Sequence, residues 1–164
     1  MNTSKPSSIM SRFNPRPEAR AVIHGNMEHP EIFGYVDFYK YENGAVLIVE
    51  LWGLPYDPTP CADNIFAMHI HAAGNCSGDM KMSFSNAGGH FNPGNCLHPA
   101  HAGDLPPLFS NHGYAWQSFY TERFIAKGIV GKSVIIHSQR DDFTTQPAGD
   151  SGQRIACGVI NKHS

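Results

Sequence analysis

From Ala72 to Phe109 the chain is rich in Gly, Pro, Asn and His and shows no clear apolar periodicity. So long a stretch cannot hold itself with a core of its own. It argues for a functional loop anchored by something else, such as a disulfide or a metal. The runs around it are short and β-like. Ala21-Val22-Ile23-His24 reads as a first strand. Phe33 to Tyr39 alternates, with Gly34, Val36 and Phe38 on one face and Phe33, Tyr35, Asp37 and Tyr39 on the other. Glu42-Asn43-Gly44 is a turn signal, and Ala45 to Trp52 completes a hairpin. Ile65 to His71, Tyr114 to Phe124, Ser133 to His137 and Arg154 to Ile160 read as further strands, and nothing reads as a helix of three turns. Short strands with turn signals argue for an antiparallel sandwich or barrel.

The 164 residues suit one domain with a sizeable core. A formal net charge of −2 gives no global basic field for nucleic acid or membrane surfaces. No run is long and apolar enough for a transmembrane helix. Residues 1–20 are polar and proline-containing, and read as a flexible tail ahead of a domain spanning 21–164. No apolar segment of a signal peptide is visible there, so the cytoplasm is the default compartment, while a trimmed chain from outside the cytoplasm would look the same. The four cysteines, Cys61, Cys76, Cys96 and Cys157, allow two bridges in three pairings. Bridges are unusual in a cytosolic protein, and that tension stays open.

The chain carries 10 histidines, and several fall in short motifs. His69 and His71 are two apart on a strand, so they project from one face and can grip one ion. His137 ends a strand, and His90 sits on a Gly-rich bend. Four imidazoles in a tetragonal set suit Cu(II). His98, His101 and Asp104 follow in the loop. With His90 they make three nitrogens and one carboxylate, a set that suits a closed zinc site. His90, shared by both groups, would bridge the two ions.

Five stretches carry a resemblance to the copper/zinc superoxide dismutases. They are Phe66-Ala67-Met68-His69-Ile70-His71, Ala87-Gly88-Gly89-His90-Phe91-Asn92-Pro93, His101-Ala102-Gly103-Asp104-Leu105-Pro106, Val134-Ile135-Ile136-His137 and Gly152-Gln153-Arg154-Ile155-Ala156-Cys157-Gly158-Val159-Ile160. The resemblance implies an all-β fold, an immunoglobulin-like Greek-key sandwich or flattened barrel with long metal-binding and electrostatic loops. It implies copper on His69, His71, His90 and His137, and zinc on His90, His98, His101 and Asp104. It makes Asp141 the carboxylate joining a copper ligand to a zinc ligand, and Arg154 the guide for an anionic substrate. It pairs Cys76 with Cys157. The spacing of Cys76 from His71, and Gly103-Asp104-Leu105-Pro106, resemble the bacterial branch. The implied reaction converts superoxide to dioxygen and hydrogen peroxide by alternate reduction and reoxidation of the copper, with Arg154 and His90 as catalytic residues.

Three features depart from the family pattern. His98 and His101 are close together with Pro99 between them. The segment from Asp142 to Gly152 is short and has no lysine, which puts more of the steering on Arg154. Cys61 and Cys96 fall outside the pattern; a second bridge between them would brace the loop, and two free thiols are the alternative. A copper-only dismutase with a degenerate zinc loop and a non-catalytic copper carrier on the same fold are the competing functions. Tyr35, Tyr39, Phe119 and Tyr120 suit either a homodimer face or plain cover for the barrel.

Overall fold

The computed structural model of the chain describes residues 16–79 and 81–163. The strands are β1 (Ala19–Gly25), β2 (Phe33–Tyr41), β3 (Gly44–Trp52), β4 (Ile65–Phe66), β5 (Met68–His71), β6 (Leu108–Phe109), β7 (Ala115–Thr121), β8 (Ser133–His137) and β9 (Arg154–Lys162). Short 3-10 turns at Ser85–Ala87 and Ala126–Ile129 are the only helical elements among the described residues. One antiparallel sheet of seven strands runs β5-β8-β9-β1-β2-β3-β7, and β4 pairs with β6 apart from it.

The strand order and the core together require a curled sheet. Strands sit about 4.8 Å apart, so a flat sheet of this width would hold its edges roughly 29 Å from each other. Yet Met68 and Ile70 of β5 share one cluster with Ala115 of β7, at the opposite end of the order. Ile23, Phe38, Leu47 and Ile136 fill the space between. The sheet therefore wraps around one core as a flattened barrel. β5 precedes β7 in sequence but pairs with β8, the long return of a Greek key.

The hairpin of β2 and β3 forms with the expected turn. Tyr41 pairs with Gly44, leaving Glu42 and Asn43 at the tip. The expected strand from Ile65 to His71 is broken in two. The N–H of Ala67 donates to Gln139 O, and Ala67 O accepts from the N–H of His137. That exchange turns the chain between two sheets. β1 starts at Ala19, inside the segment read as a tail, and residues 1–15 of that segment lie outside the described residues. The reason is a cross-strand pair: Arg20 faces Asp37 and donates twice to its carboxylate, at 2.6 and 2.7 Å.

The aromatic surface also differs from expectation. Tyr39 is buried, and Phe119 packs against the core. Phe33, Trp52, Tyr114 and Trp116 are exposed instead.

Cys76 and Cys157 form a disulfide, with Cα atoms 5.7 Å apart. It ties the segment after β5 to β9. The second bridge does not form: Cys61 and Cys96 are free, exposed thiols. Cys96 is held by Asn92, whose side-chain amide accepts from the Cys96 N–H and donates to Cys96 O. Of the two alternatives the free thiols hold, and a side-chain amide braces the loop instead of a bridge.

The disulfide closes a sequence separation of 81 residues. Replacing Cys76 and Cys157 by Ser together should therefore lower unfolding free energy by about 2–5 kcal/mol. Urea titration of both proteins checks this; equal midpoints and slopes would contradict it.

Candidate metal centre

All four residues of β5 are buried, but on two faces. Met68 and Ile70 enter the core, while His69 and His71 turn to the other side. The outer edge of β5 is not left open. The loop from His90 to Asp104 lies along it, with Phe91 N–H donating to Ile70 O and Ile70 N–H donating to Gly103 O. His71 comes opposite His90, and His69 opposite Asp104. One strand edge thus brings the loop's donors to the strand's donors.

On the other flank, β8 delivers His137. Ile136 pairs with Ala156, but His137 pairs with Arg154, so the register slips by one residue. This bulge leaves Ile155 in the core and sets Arg154 directly across from His137.

Two groups of four result. His69, His71, His90 and His137 each offer a ligand atom, all within 4.8 Å of one another; His90, His98, His101 and Asp104 do the same. His90 belongs to both. Hydrogen bonds fix which ring nitrogen faces inward. Nε2 of His69 donates to Asp141 Oδ2 at 2.7 Å, and Nδ1 of His71 donates to Gly88 O at 2.8 Å. Nδ1 of His137 lies 3.2 Å from Ser151 Oγ. The nitrogens left over are His69 Nδ1, His71 Nε2, His90 Nε2 and His137 Nε2. All four are buried without a hydrogen-bond partner. Buried polar atoms are rarely orphaned, and four orphaned lone pairs converging on one point fit a cation. Four imidazoles are a donor set for copper.

The second group fits a smaller, tetrahedral ion. Bonds of about 2.0–2.1 Å to a tetrahedral zinc imply donor separations of roughly 3.3 Å. His101 Nδ1 stands 3.3 Å from His90 Nδ1 and 3.3 Å from Asp104 Oδ1, and His98 Nδ1 is 3.1 Å from Asp104 Oδ2. His90 Nδ1 is closer to Asp104 Oδ1, at 2.7 Å, as a hydrogen-bonded pair. The short spacing between His98 and His101 is accommodated by two successive turns, closed by Ala100 N–H to Leu97 O and Asp104 N–H to His101 O.

Asp141 joins the two groups. One oxygen accepts from His69 Nε2, and the other accepts from His98 Nε2 at 2.9 Å. The Phe143 N–H also donates to Asp141 Oδ1 at 2.7 Å. Gly149 leaves room for this: a Cβ there would fall 1.9 Å from Asp141 Oδ1, and its φ of +68° favours glycine as well. Gly88 has φ +75° and ψ −158°, which turns its carbonyl toward both His71 and Arg154.

Electrostatics agree with neutral imidazoles at His69, His71 and His137. Burial pushes His71 down to about 2, against which the Gly88 hydrogen bond works only in part. Burial likewise lowers His69 and His137. For Asp104, burial acts upward, but the hydrogen bond from His90 and the pull of His90 and His98 outweigh it and hold the carboxyl at about 2.

A cleft of about 720 Å³ opens onto His71, His90, His137 and Arg154. Arg154 is half-buried and fixed by two carbonyls, with Nη1 donating to Phe84 O at 2.7 Å and Nη2 to Gly88 O at 2.8 Å. Lys81 also lines the cleft, from the segment that carries Cys76. The lysine missing between Asp142 and Gly152 thus has a counterpart from another loop.

The structure brings together every site residue expected from the sequence apart from the Cys61–Cys96 pair. Sequence reasoning missed Ser151 beside His137, Gln146 and Arg123, whose side chains bond to backbone groups of the segment from His98 to Asp104, and the Gly88 carbonyl. Gly88-Gly89 was the one visible hint, as a bend; the others carry no spacing signal.

The fold and the two groups define an antiparallel β-barrel carrying two adjoining clusters of candidate metal ligands that share His90. A family model described as copper/zinc superoxide dismutase (SODC) matches residues 32–160. The Cu-Zn superoxide dismutase 2 of Aquifex aeolicus is 33% identical over 145 residues, which cover 79% of this chain and 80% of that one. The Cu-Zn superoxide dismutase of Deinococcus radiodurans is 31% identical over 148 residues, covering 79% and 78%. A crystal structure of a SOD-like protein from Bacillus subtilis superposes with a TM-score of 0.69 at 26% identity, covering 89% of this chain and 97% of that one. The chain belongs to the copper/zinc superoxide dismutase family.

The lowered imidazoles make the metal-free protein acid-labile. Unfolded histidines titrate near 6.5, whereas His71 in the fold does so at about 2. Between those values the unfolded chain binds more protons, so stability falls as pH falls. Urea midpoints of the metal-free protein should therefore be lower at pH 5 than at pH 7.5. A midpoint that holds or rises on acidification would contradict the neutral cluster.

Proposed function

We propose that the protein is a superoxide dismutase, with copper on His69, His71, His90 and His137 and zinc on His90, His98, His101 and Asp104. The observation that carries this is His90: it sits in both groups, with Nε2 facing one and Nδ1 facing the other. A copper carrier needs neither a shared histidine nor a guanidinium at the mouth of the cleft. The complete zinc-type group also favours a two-metal centre over a copper-only enzyme. The net reaction takes two superoxide anions and two protons to dioxygen and hydrogen peroxide. Copper, when bound, supplies the alternating electron uptake and release.

The chain's own residues have separable tasks. Arg154 is the anion guide. Burial lowers its guanidinium somewhat, but an arginine stays charged, and two carbonyls hold it still. A fixed cation in a recessed cleft raises the capture rate of a small anion. His71 shares the Gly88 carbonyl with Arg154, so ligand and guide are set by one backbone group. His90 lines the cleft, and its Nε2, whenever it is not engaged by the metal, would hold a proton for the reduced product. Asp141 keeps the rings of His69 and His98 in their tautomers.

Superoxide decay followed by pulse radiolysis on protein loaded with both metals tests the proposal. The wild type should turn over superoxide, and His90→Ala should remove most of that activity. Arg154→Ala should lower the rate by about tenfold or more at low salt and flatten its salt dependence. Stoichiometric metal without turnover would sink the enzyme reading and leave a carrier.

A further inference from the structure

The loop that brings His98, His101 and Asp104 together has little internal structure. Its own turns satisfy few of its backbone groups, and each remaining carbonyl needs a partner. Two side chains from elsewhere in the fold supply partners. Arg123 lies just after β7, and its Nη1 donates to Pro99 O and His101 O at 3.0 Å and to Asp104 O at 3.1 Å. Gln146 lies in the segment between β8 and β9. Its Oε1 accepts from the His98 N–H at 3.0 Å, and its Nε2 donates to His98 O at 2.7 Å. All three zinc-type loop donors are therefore held at their own peptide groups.

We propose that Arg123 and Gln146 are positioning residues that set the zinc-type donors in place before metal arrives. This rests on the reading of that group as the zinc site. Neither side chain touches a metal-facing nitrogen, so each acts through the backbone of a donor. Arg123 gathers three carbonyls, of which His101 O also accepts from the Asp104 N–H, and with them sets the spacing of His101 and Asp104. Gln146 is a two-point clamp that sets the position of His98, while Asp141 sets its ring. Gln146 also lines the cleft, so one side chain joins the zinc-type group to the cleft wall. The short loop is thus shaped by the barrel rather than by its own length.

Zinc release to a chelator from the copper- and zinc-loaded protein tests this, with the visible spectrum of cobalt(II) in the same site as a second readout. Arg123→Met and Gln146→Met should each release zinc about 10–100-fold faster, as outer partners of ligands commonly do. Copper retention and the melting of the metal-free protein should change little. Arg123→Lys, which keeps a cationic donor, should recover most of the retention; Gln146→Glu keeps only the acceptor and should recover less. Zinc release unchanged in both Met variants would overturn the proposal. So would a loss that Arg123→Lys does not recover and that tracks an equal fall in metal-free melting, since that pattern belongs to loop folding alone. A wild-type protein that takes up no zinc would instead overturn the two-metal reading, and the clamps with it.

Discussion

The Asp141 carboxylate is the interaction on which the rest of the centre depends. It is buried, and each oxygen accepts from a histidine of a different group, His69 and His98. That single side chain fixes two tautomers, two ring orientations and the distance between the two halves. Its own position depends on Gly149, which alone leaves space beside it, and on the Phe143 N–H. An exposed turn residue could not do this, because water would compete for both oxygens.

The barrel supplies a rigid base for that arrangement. β5, β8 and β9 are adjacent, and each brings a functional residue to the same cleft: His71, His137 and Arg154. The bulge at Ile155 reconciles two demands on β9. It keeps the isoleucine in the core and turns the arginine across from His137. The loop between β5 and β6 then closes the edge of β5, held by Gly103, Asn92, Arg123 and Gln146. The disulfide from Cys76 to Cys157 holds the neighbouring segment, from which Lys81 lines the cleft and the Phe84 carbonyl holds Arg154.

Much of this was legible in the chain. Strand alternation exposed β2 and β3, and the turn at Glu42-Asn43 followed from local chemistry. The i, i+2 rule put His69 and His71 on one face. Donor chemistry and proximity in the loop grouped His90 with His98, His101 and Asp104, and the resemblance added Asp141 and Arg154. What escaped was long-range. The break at Ala67 depends on a backbone exchange with His137 and Gln139. The start of β1 depends on Arg20 meeting Asp37 across the sheet. Burial of Tyr39 and Phe119 depends on how the sheet curls, which alternation along one strand does not report. Arg123 and Gln146 act on peptide groups far away in sequence, and leave no spacing to detect.

On the proposed reading, His90 stands between two metal ions of different kinds. Anomalous diffraction from crystals of the copper- and zinc-loaded protein, recorded at both metal edges, tests it directly. Two peaks should flank the His90 ring, copper on the side of His69, His71 and His137 and zinc on the side of His98, His101 and Asp104. A single peak, or two peaks of which one does not lie beside His90, would contradict it.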